Sequence, residues 1–194
     1  MRLRELVDDE REFTVESLLL TLVGAVHDDE DEQTAKDVLE AAKKRRRRIG
    51  LVRLGTGPFA GVAGEVTDLY VETATVCDLS ELHRLALTDA AVAAHMLVLW
   101  GVYETVPQAA EAIDHGTVSS TLSARFSEKV GTDQPITAVR AIKILWRARS
   151  LRDDLEGTSA VGAVVMPGRQ AKKFIKTAER LLLEPRAGSG LPTR

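Results

Sequence analysis

The chain has 194 residues, of which 44% are hydrophobic and 28% are charged, with a net charge of −3. That length and apolar content fit one folded domain with a substantial core, and they exclude a disordered chain. The acidic balance excludes a general attraction to nucleic acid or anionic lipid, so any such binding must come from a local basic patch.

Periodic apolar residues predict a series of helices. The first is expected at about 14–26, with Thr14 as its N-cap. A second, at about 32–48, follows the acidic run 28–32 and ends in six cations, a charge order that suits the helix dipole. Five glycines and Pro58 within 50–64 then predict an interruption of regular structure, at least through Pro58.

Further helices are expected in the second part of the chain. A third should begin at residue 61 or 62 and end at Val76, and Asp78 or Ser80 should cap a fourth that ends near Tyr103. The apolar stretch 85–103 contains Asp89, so it favours a buried core helix over a membrane span. The remaining helices are expected at 107–114, from Ser119 or Ser120 to Gly131, and at 136–155 and 167–183.

The patterns predict an all-α fold, a single compact bundle of about seven to eight helices with glycine-rich interruptions. Only 160–166 resembles a strand, and a lone strand has no partner. We expect an N-terminal helix and acidic linker at 1–31, a core domain at 32–184 and a disordered tail at 185–194.

Two uncharged, glycine-bearing windows, 54–64 and 157–168, stand out, and each has basic residues at one flank. Both are too short to span a bilayer as helices, so they indicate close packing or a surface that touches a membrane or partner. Small residues permit close backbone approach, so we expect the two windows to lie near each other.

The run from Lys43 to Arg48 places six cations around the whole circumference of a helix. Such a collar, expected to be solvated, suits anionic headgroups. The alternatives are a solvated helix or a salt-bridge network with the acidic run 28–32. Nucleic acid is disfavoured, because the basic cluster has no stacking aromatic residues nearby and the chain has no basic overall charge. The candidate surface comprises Lys43, Lys44, Arg45, Arg46, Arg47, Arg48, Gly57, Gly61, Gly64, Gly162, Lys172 and Lys173.

Signals for chemistry are weak. The glycines of 55–61 suggest a nucleotide loop, but their spacing is not that of a dinucleotide or P-loop motif. Cys77 has no disulfide partner and precedes a carboxylate, so we expect an unreactive thiol in a reducing cytoplasm. No catalytic residue, cofactor or metal site is predicted. The alternative function is a soluble enzyme that uses His83, Asp68 or His95 on the central helices.

A further pattern runs along residues 38–183. A basic helix is followed by an uncharged glycine segment and a helix that opens GVAGEVTDL at Gly61, and Val161-Gly162-Ala163 precedes a helix with spaced alanines, Ala171 and Ala178. This pattern resembles the EcsC family of bacterial proteins, named after a component encoded beside an ABC transporter. The resemblance implies a helical, membrane-associated accessory protein without established chemistry.

We therefore expect a non-enzymatic cytoplasmic protein that acts at a membrane surface or on a membrane-protein partner such as a transporter. The first residues, MRLRELVDDEREF, are polar and acidic, so no secretory signal is expected. The inner face of the plasma membrane is the expected place of action.

Overall fold

A computed structural model describes residues 12–28, 38–52, 63–126, 136–137, 141, 143–149 and 167–184. These residues confirm the all-α prediction. The helices are α1 (Val15–Asp28), α2 (Val38–Val52), α3 (Ala63–Leu82), α4 (Asp89–Leu99), α5 (Val106–Asp114), α6 (Val118–Phe126), α7 (described at 141 and 143–149) and α8 (Pro167–Leu183).

Helix α4 lies at the centre of the bundle and contacts α1, α3, α5 and α8. Its apolar residues are buried on almost every side, which confirms the expectation for this part of the chain; they include Val92, Met96, Leu97, Leu99 and the following Trp100, none more than 4% exposed. After Asp89 at its first position, the one polar residue of α4 is His95, which is half-buried. Around α4, helices α1, α3 and α8 add their own apolar faces to one continuous core.

Several helix boundaries follow the sequence signals. The Thr14 hydroxyl accepts the backbone N–H of Ser17 at 3.1 Å, and the Thr14 N–H donates to Ser17 Oγ at 3.0 Å, so the first turn of α1 is capped in both directions. Thr105 accepts the N–H of Gln108 and caps α5, which has Pro107 in its first turn as expected. The last helix spans Pro167–Leu183, as predicted.

The predicted break between the third and fourth helices is wrong in position. Helix α3 continues through Asp78 and Ser80 to Leu82, and Thr88 caps α4 instead. Both polar residues have other partners: Asp78 binds Arg45, and the Ser80 hydroxyl donates to the carbonyl oxygen of Leu85 at 2.6 Å. A polar side chain that is bonded to another partner does not accept the N–H groups at the start of a helix, so neither Asp78 nor Ser80 caps α4. Helix α4 likewise ends at Leu99, before the predicted Tyr103.

Two further boundaries are corrected. Helix α2 runs through Gly50 to Val52, so the predicted interruption does not begin at Gly50. Residues Ile136–Thr137 do not open the seventh helix; they form a short strand, β2, antiparallel to β1 at Glu12–Phe13. The register pairs Phe13 with Ile136, and a β-branched Ile-Thr step favours this extended pairing. The strand-like segment 160–166, most of the acidic run 28–32, the end of the sixth helix and the tail at 185–194 lie outside the described residues.

Candidate functional site

The structure brings together two of the basic segments singled out in the sequence. Helix α2 carries Lys43, Lys44 and Arg45, and helix α8 carries Lys172 and Lys173. The two helices contact each other, and both pack against α3. Segments from opposite parts of the chain therefore lie side by side on one face of the bundle.

The cations of α8 lie on the side of the helix that faces away from the core. Successive residues of an α-helix are about 100° apart, so positions 172, 173, 176 and 180 fall on one arc. Lys172, Lys173, Lys176 and Arg180 are exposed, whereas Ala178 and Leu182 on the opposite side are buried. The lysine ammonium groups therefore point into solvent while the apolar stripe holds α8 on the bundle.

The expectation that the α2 cations are all solvated is wrong for Arg45. Its guanidinium binds both carboxylate oxygens of Asp78 on α3, with 2.9 Å between Nη2 and Oδ1. The Asp78 side chain is 10% exposed. The hydrogen bond from Arg45 to Asp78 raises the pKa of Arg45 despite its partial burial. Because the carboxylate approaches from the facing helix, Arg45 fixes α2 to α3 and is not part of an open collar.

The remaining described cations of α2 differ from Arg45. The Nζ of Lys43 donates to Glu40 Oε1 at 2.7 Å on the helix surface, and Lys44 is exposed. The side chains of Arg46, Arg47 and Arg48 lie outside the described residues, as do Gly57, Gly61 and Gly162, while Gly64 lies in the first turn of α3. The expected proximity of the two glycine windows thus stays a prediction.

A second polar cluster, which the sequence did not indicate, joins α3, α4 and α7. Glu72 Oε1 accepts the Nε–H of Arg149 at 2.8 Å, and Glu72 Oε2 accepts the indole N–H of Trp100 at 2.9 Å. The side chains of Glu72 and Arg149 are 14% and 21% exposed. Each of these polar groups has a hydrogen-bond partner within the cluster, so the cluster links α3, α4 and α7. Glu72 is one of five acidic residues in α3, so the sequence alone does not single it out.

A buried carboxylate also stabilises the start of α6. Glu16 of α1 accepts the backbone N–H and the hydroxyl of Ser119, each at 3.2 Å. Negative charge is favourable at a helix N-terminus, where backbone N–H groups lack partners. Nearby, the Tyr103 hydroxyl donates to Thr121 Oγ1 at 2.9 Å, and burial raises the pKa of Tyr103. This cluster, too, connects helices.

The residues of the enzyme alternative do not converge. Asp68 and His83 are separated by about 20 Å along α3. His83 Nε2 lies 3.0 Å from Glu179 Oε1 of α8, and His95 Nδ1 lies 2.7 Å from the carbonyl oxygen of its own helix neighbour Ala91. Within the part of the chain that the structure describes, no group of three or more His, Cys, Asp or Glu residues is placed to hold a metal ion.

The expectation of a buried Cys77 is confirmed. The side chain is 5% exposed in α3. Burial, with a smaller contribution from the neighbouring Asp78, raises the pKa of the thiol to about 12. A thiol that stays protonated is a poor nucleophile, so Cys77 acts as a small core residue.

Among the described helices, none is both long and apolar enough to cross a membrane. Comparison with protein-family models, with curated proteins and with solved structures found no match. The resemblance to the EcsC family therefore stays a prediction from the sequence pattern. Any indication of function must therefore come from the exposed side chains of the described residues.

Proposed function

We propose that this protein is a non-enzymatic helical accessory protein that binds the anionic face of a membrane through α2 and α8. The binding surface consists of the exposed cations of these two helices: Lys44, Lys172, Lys173, Lys176 and Arg180. The observation that carries the proposal is the contact between the two basic helices, which brings cation-bearing segments that are distant in sequence next to each other. The EcsC-like pattern supports the same place of action, the inner face of the plasma membrane beside a membrane-protein partner.

The attraction must be local, because the chain as a whole carries a net charge of −3. A cation held near an anionic bilayer contributes about 1 kcal/mol, and the attraction falls off within a Debye length of about 8 Å at physiological ionic strength. Several cations on one face therefore give binding that depends steeply on salt. Glu40 on α2 and Glu179 on α8 are solvent-accessible carboxylates on the same helices and reduce this attraction.

The experiment is co-sedimentation with vesicles of phosphatidylcholine, with and without phosphatidylserine, at low and at high salt. The wild-type protein should bind only the anionic vesicles and should dissociate as salt rises. The double variant Lys172→Gln/Lys176→Gln should bind about tenfold to thirtyfold more weakly, because it removes two contributions of about 1 kcal/mol each.

The matched control is Lys143→Gln/Arg147→Gln, which removes two exposed cations from α7. It changes the net charge equally, so it should bind nearly as well as the wild type. Equal weakening by both variants would show that net charge, not the α2–α8 face, governs binding. No binding of the wild type to anionic vesicles at low salt would refute the proposal.

A further inference from the structure

Three helices of this protein end in the same hydrogen-bonding motif. In each, one residue in the left-handed conformation follows the helix, its N–H bonds to the carbonyl three residues back, and the next N–H bonds to the carbonyl five residues back. After α4 and α5 this position is held by Gly101 and Gly116, with φ of 70° and 64°. After α3 it is held by Arg84, with φ of 53°.

Arginine is an unfavourable choice at this position. Its Cβ crowds the backbone when φ is positive, whereas glycine adopts the conformation freely. The other two endings show that glycine serves the motif in this same fold. Backbone strain of this kind is found where a side chain has a role beyond folding. The Arg84 side chain is exposed, so that role lies at the surface.

Arg84 belongs to an unusually apolar loop between α3 and α4, with the sequence Leu-His-Arg-Leu-Ala-Leu from Leu82 to Leu87. Leu82 is 47% exposed, Ala86 is exposed, and Leu85 and Leu87 are half-buried. Surface loops are ordinarily polar, because they face water. Leu85 and Leu87 pack against the core, whereas Leu82 and Ala86 are exposed beside the cation of Arg84.

The exposed end of α8 lies at the same place. Leu82 and Leu183 are the two large apolar side chains exposed among the described residues, and Leu183 is 51% exposed. The pair between His83 and Glu179 holds the ends of α3 and α8 together: Leu82 directly precedes His83, and Leu183 lies one turn beyond Glu179. Leu183 is also seven residues beyond Lys176, two turns along the same, cationic side of α8.

We propose that Leu82, Ala86 and Leu183 form an apolar edge that inserts into the interfacial layer of the anionic bilayer. This inference rests on the proposed function and names the part of the surface that enters the lipid. The lysines of α8 supply the electrostatic attraction. The edge itself supplies no net positive charge, because Glu81, Glu179 and Glu184 accompany Arg84 and Arg180, and Arg180 Nε lies 3.9 Å from Glu184 Oε1.

The electrostatic and apolar contributions to binding can be separated by their response to salt. Electrostatic attraction to lipid is screened, whereas burial of apolar surface is not. The double variant Leu82→Ala/Leu183→Ala should weaken vesicle binding about fivefold to tenfold at low salt and by the same factor at moderate salt. The effect of Lys172→Gln/Lys176→Gln should shrink as salt rises. Both leucines are about half exposed, so the thermal midpoint should change little.

A fluorescent label reports insertion directly. The native Cys77 is buried, so a cysteine introduced as Leu183→Cys can be labelled alone with a polarity-sensitive dye, and Lys143→Cys on α7 serves as the control. On anionic vesicles the label at position 183 should brighten and be quenched by brominated lipid, and the label at position 143 should not. The variant Arg84→Gly should raise the thermal midpoint and weaken binding.

The outcomes distinguish insertion from surface binding. Salt-sensitive binding without quenching at position 183, or unchanged affinity of the leucine variant, overturns insertion and leaves the proposed function standing. Unchanged affinity of Arg84→Gly for anionic vesicles would show that Arg84 does not contribute to binding by the edge. Absence of binding by the wild type at low salt overturns both proposals.

Discussion

The indole N–H of Trp100 donates to the carboxylate of Glu72, with 2.9 Å between Nε1 and Oε2, inside the core of the bundle. Trp100 is 1% exposed, and the same carboxylate also binds Arg149. One glutamate thus satisfies a buried indole and a half-buried guanidinium from two other parts of the chain. Glu72 therefore links α3 to both α4 and α7 through polar contacts.

Replacement of Glu72 by Gln should destabilise the protein by about 1–3 kcal/mol, because Arg149 would lose its ion pair with Glu72 and the Trp100 indole N–H would lose a charged acceptor. Urea unfolding followed by circular dichroism measures the loss. Glu40→Gln is the control, since Glu40 pairs with Lys43 on the surface and should cost less than about 1 kcal/mol. Similar losses in the two variants would contradict the structural role of Glu72.

Truncation of Leu97 to Ala should cost about 2–5 kcal/mol, because the side chain is completely buried in α4 and its removal leaves a cavity. Leu82→Ala provides the comparison, since Leu82 is 47% exposed and should change the free energy of unfolding by less than about 1 kcal/mol. Chemical denaturation of both variants under one set of conditions tests the difference. A small effect at Leu97 would show that α4 is not central to the core.

Two glycines should respond to Ala in opposite directions. Gly116 has φ of 64° and open space around its Cα, so Gly116→Ala should destabilise by about 1 kcal/mol through backbone conformation alone. Gly24 lies within α1, also with open space, so Gly24→Ala should stabilise by about 0.5–1 kcal/mol. Thermal unfolding of the two variants should give midpoints on either side of the wild-type value.

Cys77 should make stability depend on alkaline pH. The folded thiol has a pKa of about 12, against 9.0 for an unperturbed thiol, so between these values the unfolded chain releases a proton that the folded chain keeps. Stability from this group is complete below pH 9 and falls as pH rises, by up to about 1.4 kcal/mol per pH unit. Subtraction of the profile of Cys77→Ala isolates this contribution from those of lysine and tyrosine.

The same residue offers a test at neutral pH. A disulfide reagent such as dithiobisnitrobenzoate should react slowly with the native protein and rapidly in urea, because the thiol is buried and protonated. Rapid reaction of the native protein would place Cys77 at an accessible surface and contradict its packing in α3.

Local sequence signals predicted the all-α class, the cap at Thr14, the limits of α8 and the burial of α4. These features depend on local signals: apolar residues repeat every three to four positions, and a capping side chain bonds within its own helix turn. The amphipathic pattern of α8 likewise predicted its buried face, including Ala178 and Leu182, without knowledge of what it packs against.

Only the tertiary structure decided which polar residues belong to the surface. Asp78 was expected to start a helix, yet Arg45 reaches it from α2 and makes it an interhelical tie. Glu72 and Glu16 find their partners far along the chain, at Arg149 and Ser119. Contact between α2 and α8, and the meeting of Leu82 with the end of α8 through His83 and Glu179, are equally non-local. The spacing of residues along the chain predicts the faces of one helix. It does not predict which residue of a distant segment will contact that face, because such contacts depend on how the helices pack.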